Sequence, residues 1–154
     1  MRSVPALDLL LKGKSGIHQL EDIDIDDLLG RESVSNDISL LEECIEGKTI
    51  LVTGAGGSIG SEICRQVVYH GAKHVIMLDS SEFNLYQIDK ELNETHITSS
   101  LLGSILNIDF LKSVFESYNI DTIYHAAAYK HVPLVESNVI AGTINNVVGT
   151  FNLS

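Results

Sequence analysis

The chain is short of positive charge. Its 154 residues hold 10 lysines and arginines against 21 acids, a net charge of −11. That deficit argues against nucleic acid or an anionic membrane surface as partner. Cysteine is scarce as well. Cys44 and Cys64 stand at neither metal-ligand nor redox-motif spacing, so they read as reduced thiols, with no metal site and no disulfide. No apolar run reaches the ~18 residues that a membrane span needs, no signal-peptide pattern is present, and neither a repeat nor a low-complexity tract is found. What is there is a hydrophobic content of 44%, enough core for one domain of ordinary size.

The acid is unevenly spread. Residues 1–47 carry 11 acids and 4 bases, a net of −7, whereas residues 48–154 carry 10 acids and 6 bases, a net of −4. The first part reads as an acidic linker and lead-in helix. Glu21–Leu29 alternates acid with isoleucine and ends at Gly30. Asn36 or Asp37 can cap a helix with Ile38, Leu41 and Ile45 on one face and Gly47 as its stop.

Lys48–Ser61, KTILVTGAGGSIGS, organises the remainder. A short β-rich run (Thr49–Val52) meets Gly54, Gly56, Gly57 and Gly60, and an amphipathic run starts at Ser58. Strand, glycine turn and helix open a dinucleotide-binding βαβ unit. Gly54 allows the tight turn, Gly57 lets backbone amides approach a pyrophosphate, and Gly60 lets the helix sit close on the strand. The helix N-terminus offers unpaired N–H groups and partial positive charge to phosphates. A second strand, His74–Asp79, ends on an acid 19 residues after Gly60. That is close to the ~20 expected for the carboxylate that binds an adenosine ribose.

Further alternation follows. Helical stripes are Ile59, Ile63, Cys64, Val67 and Val68; then Leu85, Ile88 and Leu92, capped by Ser80 or Ser81; then Ile108, Leu111, Val114, Phe115 and Tyr118, capped by Asn107. Ile97–Leu102 reads as a third strand and Asp121–Ala128 as a fourth. A last helix carries Ile140, Ile144, Val147, Val148 and Phe151. Alternating β and α predicts an α/β fold: a Rossmann-type doubly wound parallel sheet of order 3-2-1-4, incomplete, with its ligand at the carboxyl ends of strands 1 and 4. Residues 48–154 form the nucleotide-binding half-domain in this reading. Such a sheet has more strands in a complete enzyme, so the sequence reads as a piece of a longer protein. An open strand-4 edge predicts self-association, as a homo-oligomer.

Three stretches carry a family resemblance: TGAGGSIG at Thr53–Gly60, HAAAYKHVP at His125–Pro133 and NNVVGT at Asn145–Thr150. Together they resemble the extended short-chain dehydrogenase/reductase superfamily. Within it they are most similar to nucleotide-sugar 4,6-dehydratases of polysaccharide biosynthesis, of the membrane-anchored UDP-N-acetylglucosamine type. DLLGRESV at Asp27–Val34 resembles the linker of those long members.

The resemblance implies NAD as cofactor, with Asp79 disfavouring the 2′-phosphate of NADP, and Ser80 beside it. It places Gly54, Gly57, Ser58, Ile59 and Gly60 at the pyrophosphate, Ser104 and Ile105 at the adenine, and Ala126, Ala127 and Ala128 along the cofactor. Ser104 departs from the aspartate often found there. Asn146 would brace the active site, and Lys130 and His131 would lie near the nicotinamide and sugar. A UDP-sugar is the implied substrate, oxidised at C4, dehydrated across C5–C6 and reduced at C6. The implied location is cytoplasmic, anchored at a bacterial inner membrane only through upstream helices. The catalytic acid–base groups of relatives follow the next strand, so no residue here is assigned as catalytic, and the chain by itself is expected to be inactive. Two other readings stay open: a nucleotide-sugar epimerase, and a non-enzymatic NAD-binding module or inactive fragment.

Overall fold

Four short runs of β-branched and apolar residues become one parallel sheet. In the computed structural model, which describes residues 43–154, β1 is Thr49–Thr53, β2 is His74–Asp79, β3 is Thr98–Leu102 and β4 is Thr122–His125. Their order is β3-β2-β1-β4, all neighbours parallel, the Rossmann-type order that the sequence predicts. Every residue of β1 is buried, as are Val75–Leu78 of β2. Strands covered on both faces need continuous apolar runs rather than alternation. The flanking strands β3 and β4 are only half covered, and there serine, threonine and tyrosine are accommodated.

Helices α1 (Ser58–Tyr69), α2 (Glu82–Leu92) and α3 (Ile108–Ser117) are the crossovers. Alternate strand residues feed two cores. Ile50, Val52, Val75 and Met77 pack with Cys64, Val67, Leu85 and Ile88 from α1 and α2. Leu51, Ile76 and Leu78 pack with Leu111 of α3 and with Ile105. Burial pushes the Cys64 thiol up to about 12, so it stays protonated and acts as a small apolar side chain. Ser81, not Ser80, caps α2 by accepting from the Asn84 amide at 3.4 Å. Asn107 caps α3 through the Phe110 amide at 3.1 Å. On the surface Arg65 joins α1 to α2. It donates to Glu91 at 2.6 Å and Glu62 at 3.1 Å, and these bonds raise its pKa.

Leu111 is fully buried between α3 and the sheet. Leu111→Ala should therefore destabilise the chain by about 2–5 kcal/mol. The neighbouring exposed Lys112→Ala should stay within about 0.5 kcal/mol. Urea unfolding of both variants checks this, and equal midpoints would contradict it.

The structure corrects several expectations. β4 ends at His125 rather than Ala128. The Ala126 amide makes the last rung to the Thr53 carbonyl at 3.0 Å, and the three alanines then form a loop. Val132–Ser137 is a short helix, α4, with Pro133 in its first turn, where a missing N–H costs nothing. The single last helix is instead three pieces: α5 (Val139–Thr143), a π-helical segment (Ile144–Val148) and α6 (Gly149–Phe151). Its expected apolar stripe faces outward: Ile140, Ile144, Val147, Val148 and Phe151 are all exposed. Ile59 is likewise 61% exposed, so it is no part of the buried α1 stripe. Of the lead-in helix, residues 43–45 are helical, Ile45 is buried, and Gly47 turns with φ +68°. Its proposed caps Asn36 and Asp37, together with Ile38, Leu41 and the acidic linker, lie outside the described residues.

Candidate functional site

The turn after β1 is built from close backbone contacts. Gly54 has φ +66°, and a Cβ there would lie 2.7 Å from the Ala126 carbonyl. At Gly60 a Cβ would lie 1.9 Å from the Gly54 carbonyl oxygen, so the absence of a side chain lets α1 begin directly against the turn. Gly57 differs. Its backbone is extended, with φ −72°, and the nearest atom to an added Cβ is the Gly54 oxygen at 3.2 Å. Gly57 precedes α1, whose N-terminus has no side-chain cap and no acid in its first turn. The other two crossovers carry Glu82 and Asp109 there. The positive end of α1 thus carries no compensating acid or side-chain cap, an arrangement that suits an anion.

Asp79 closes the other side of the turn. Its carboxylate accepts from the Gly56 amide at 2.8 Å and from the Ser81 amide at 2.8 Å. Both oxygens are oriented, and each keeps a lone pair for a hydroxyl donor. The spacing rule finds this acid, but it does not reveal that the acid also fastens the glycine turn.

A cleft of about 300 Å³ opens at the carboxyl ends of the strands. Gly54, Gly57, Asp79, Ser80, Ser104, Ile105, Ala126, Ala127 and Ala128 line it, together with Ser81, Asn84, Gly103, Tyr129 and Asn145. Ser58 and Ile59 are exposed at the start of α1, and Gly60 is buried beneath it; none of the three lines the cleft. Ser104 Oγ accepts from the Leu106 amide at 3.2 Å. Lys130 and His131 line a neighbouring apolar pocket of about 430 Å³ that shares Ala128 and Tyr129 with the cleft.

Asn146 does not line the cleft. It holds the loop that does: its Oδ1 accepts from the Tyr129 amide at 2.8 Å, and its Nδ2 donates to the Tyr129 carbonyl at 3.0 Å. Asn145, absent from the sequence-based assignment, donates to the Ala127 carbonyl at 3.0 Å. Both asparagines lie in the π segment, and both reach the same loop. Such segments gather at functional sites, but no sequence signal announces one. His125 sits where β1, β4 and α6 meet. Its Nδ1 lies 2.7 Å from Thr53 Oγ1 and its Nε2 lies 3.0 Å from Thr150 Oγ1. His125 is itself exposed at the strand end, and the desolvation of its inner side lowers its pKa below the ordinary histidine value. Among the described residues no cluster of three or more His, Cys, Asp or Glu could hold a metal. No described helix is long and apolar enough to cross a membrane.

Residues 50–154 match the family described as polysaccharide biosynthesis protein. The chain belongs to that family. Among curated proteins it is similar to the probable polysaccharide biosynthesis protein EpsC of Bacillus subtilis, 40% identical over 100% of the chain and 26% of the relative. It is 31% identical to dTDP-glucose 4,6-dehydratase of Haemophilus influenzae, over 68% of the chain and 31% of that protein. Among solved structures it resembles UDP-glucose 4-epimerase of Bifidobacterium longum in complex with NAD⁺ and UDP. The TM-score is 0.60 and identity is 26%, over 68% of this chain and 32% of that one. The chain thus spans about a quarter to a third of the length of these similar proteins.

Proposed function

We propose that residues 48–154 form the NAD-binding part of a nucleotide-sugar 4,6-dehydratase acting on UDP-N-acetylglucosamine in polysaccharide biosynthesis. One observation carries the reading. A cleft at the strand ends joins an uncapped helix N-terminus, a glycine with no side chain to block it, and an oriented carboxylate. That donor set fits a dinucleotide: amides and helix dipole for the pyrophosphate, Asp79 for ribose hydroxyls, and Ser104 with Ile105 beside the adenine. Ala126, Ala127 and Ala128 are small enough for the cofactor to lie along the loop, and Asn145 and Asn146 hold that loop in place. NAD, held by these residues, would supply reversible hydride transfer to and from the sugar. The chain's own residues bind and orient. Lys130 and His131, in the adjoining pocket, would face the sugar nucleotide.

The UDP-sugar preference rests on the resemblance of AAAYKHVP beside GAGGSIG to the UDP-N-acetylglucosamine dehydratases. An epimerase is the second reading, favoured by the UDP-glucose 4-epimerase likeness. NAD should bind more tightly than NADP, because a 2′-phosphate would be brought against the Asp79 carboxylate. Titration calorimetry with each cofactor checks this, and equal or tighter NADP binding would overturn the Asp79 assignment.

A further inference from the structure

The histidine at the end of β4 is joined at both ring nitrogens. Thr150 Oγ1 donates its one hydrogen to the Asn146 carbonyl at 2.7 Å. In that arrangement it accepts from His125 and Nε2 carries the proton; the reverse order, Thr150 donating to Nε2 and Nδ1–H donating to Thr53, is the alternative that the test below separates. In the neutral ring Nδ1 is then the acceptor, and Thr53 Oγ1, 2.7 Å away, is its donor. The proton order runs Thr53 to His125 to Thr150 to the Asn146 backbone, with every hydroxyl hydrogen used once.

Protonation breaks this order. An imidazolium donates from both nitrogens, so the Thr53 hydroxyl would have to turn and accept. Thr53 is fully buried, and its hydrogen would lose its acceptor, a cost to the charged form. No charged group opposes this. β1, the π segment and α6 hold no titratable side chain. On β4, Tyr124 packs with the core on the opposite sheet face. In the following loop, Tyr129, Lys130 and His131 line the neighbouring pocket. The lowered pKa of His125 agrees.

The three segments that His125 joins are those that shape the cleft. Thr53 precedes Gly54, His125 precedes Ala126, and Asn146 clamps Tyr129. We infer that His125 is a positioning residue for the cofactor: its neutral Nε2–H tautomer pins β1 to the Asn145–Asn146 segment, and protonation loosens the cleft. This rests on the nucleotide reading of that cleft. The sign follows from linkage. A histidine with a folded pKa below its unfolded value of about 6.5 contributes stability fully above that pH, and the contribution is lost as pH falls below it.

The test uses the chain as it stands. Nitrogen-15 NMR of the histidine rings, with pH titration, should show His125 as the Nε2–H tautomer with a midpoint below about 6.5. The Asn145 and Asn146 side-chain amides should shift with the same midpoint. An Nδ1–H tautomer, or asparagine amides that ignore the titration, would overturn the pin. In parallel, NAD affinity should fall about fivefold or more from about pH 8 to about pH 5.5, the lower end of ordinary site coupling. His125→Gln, neutral throughout, should flatten that dependence. An unchanged profile in His125→Gln would overturn the link to the cofactor. If the NMR result holds but NAD binds at no pH, the cofactor reading fails and the pin stands.

Discussion

Gly60→Ala is expected to cost the chain a large part of its stability. A Cβ at residue 60 would lie 1.9 Å from the Gly54 carbonyl oxygen, 2.7 Å from the Gly54 carbonyl carbon and 3.0 Å from the Ala55 Cα. All three are backbone atoms in a turn that cannot shift on its own. Gly54 is pressed against the Ala126 carbonyl, and the adjoining Gly56 amide is held by Asp79. Relief therefore has to come from lifting α1 off the sheet, which would expose Cys64 and Val67, both at 1% accessibility or less. Overpacking in a core costs typically about 1–3 kcal/mol and sometimes more. With no flexible side chain to give way, about 3 kcal/mol or more is expected here, against a total of about 5–15 kcal/mol for an ordinary domain. Urea unfolding monitored by circular dichroism checks it. A loss under about 1 kcal/mol would mean that the turn is softer than its contacts imply.

Gly57→Val should separate folding from binding. Gly57 has negative φ in the extended region, which any residue adopts, and its nearest neighbour would be 3.2 Å from an added Cβ. The variant should still fold, with a urea midpoint lowered by the tight contact with the Gly54 oxygen but by less than in Gly60→Ala, where the same oxygen would be at 1.9 Å. Its side chain would project into the cleft where the pyrophosphate is proposed to lie, at the uncapped end of α1. NAD affinity should drop about a hundredfold or more, roughly 2.7 kcal/mol. Calorimetry on the folded variant measures it, and retained affinity would remove the pyrophosphate from this turn. The two glycines lie three residues apart and differ in outcome: a Cβ at residue 60 would meet three backbone atoms of the turn at 3.0 Å or less, whereas one at residue 57 would meet a single oxygen at 3.2 Å and residue 57 lines the cleft.

The sheet was legible because its signals are local. Continuous apolar runs at residues 50–52 and 75–78 leave little choice but buried parallel strands, and β-α alternation orders them. The glycine turn was legible for the same reason: each glycine's need arises within a few residues. What the sequence did not disclose depends on partners far along the chain. Asp79 fastening Gly56, and Asn145 reaching Ala127, are pairings that no spacing rule encodes. The outward stripe of Ile140, Ile144, Val147, Val148 and Phe151 misleads periodicity, which reports an apolar face without saying what covers it. The π segment adds a further shift of register that a 3.6-residue period does not anticipate.

The run from α5 to α6 meets the sheet with its polar side. Asn145, Asn146, Thr150 and Asn152 bond to the Ala127 and Tyr129 backbone, to His125 and to the Ile105 carbonyl. Leu153 and the contact of Gly149 with Ile105 are its apolar anchors. Hydrogen bonds that water can replace hold far less free energy than buried apolar area, so this run opens separately from the sheet and at lower cost. Its amides would exchange with deuterium ahead of those in β1 and β2, and residues 126–130 would keep pace with it. The floor of the cleft would then exchange more slowly than its clamp. Binding there would be felt first as slowed exchange across residues 126–150, before any change in the sheet.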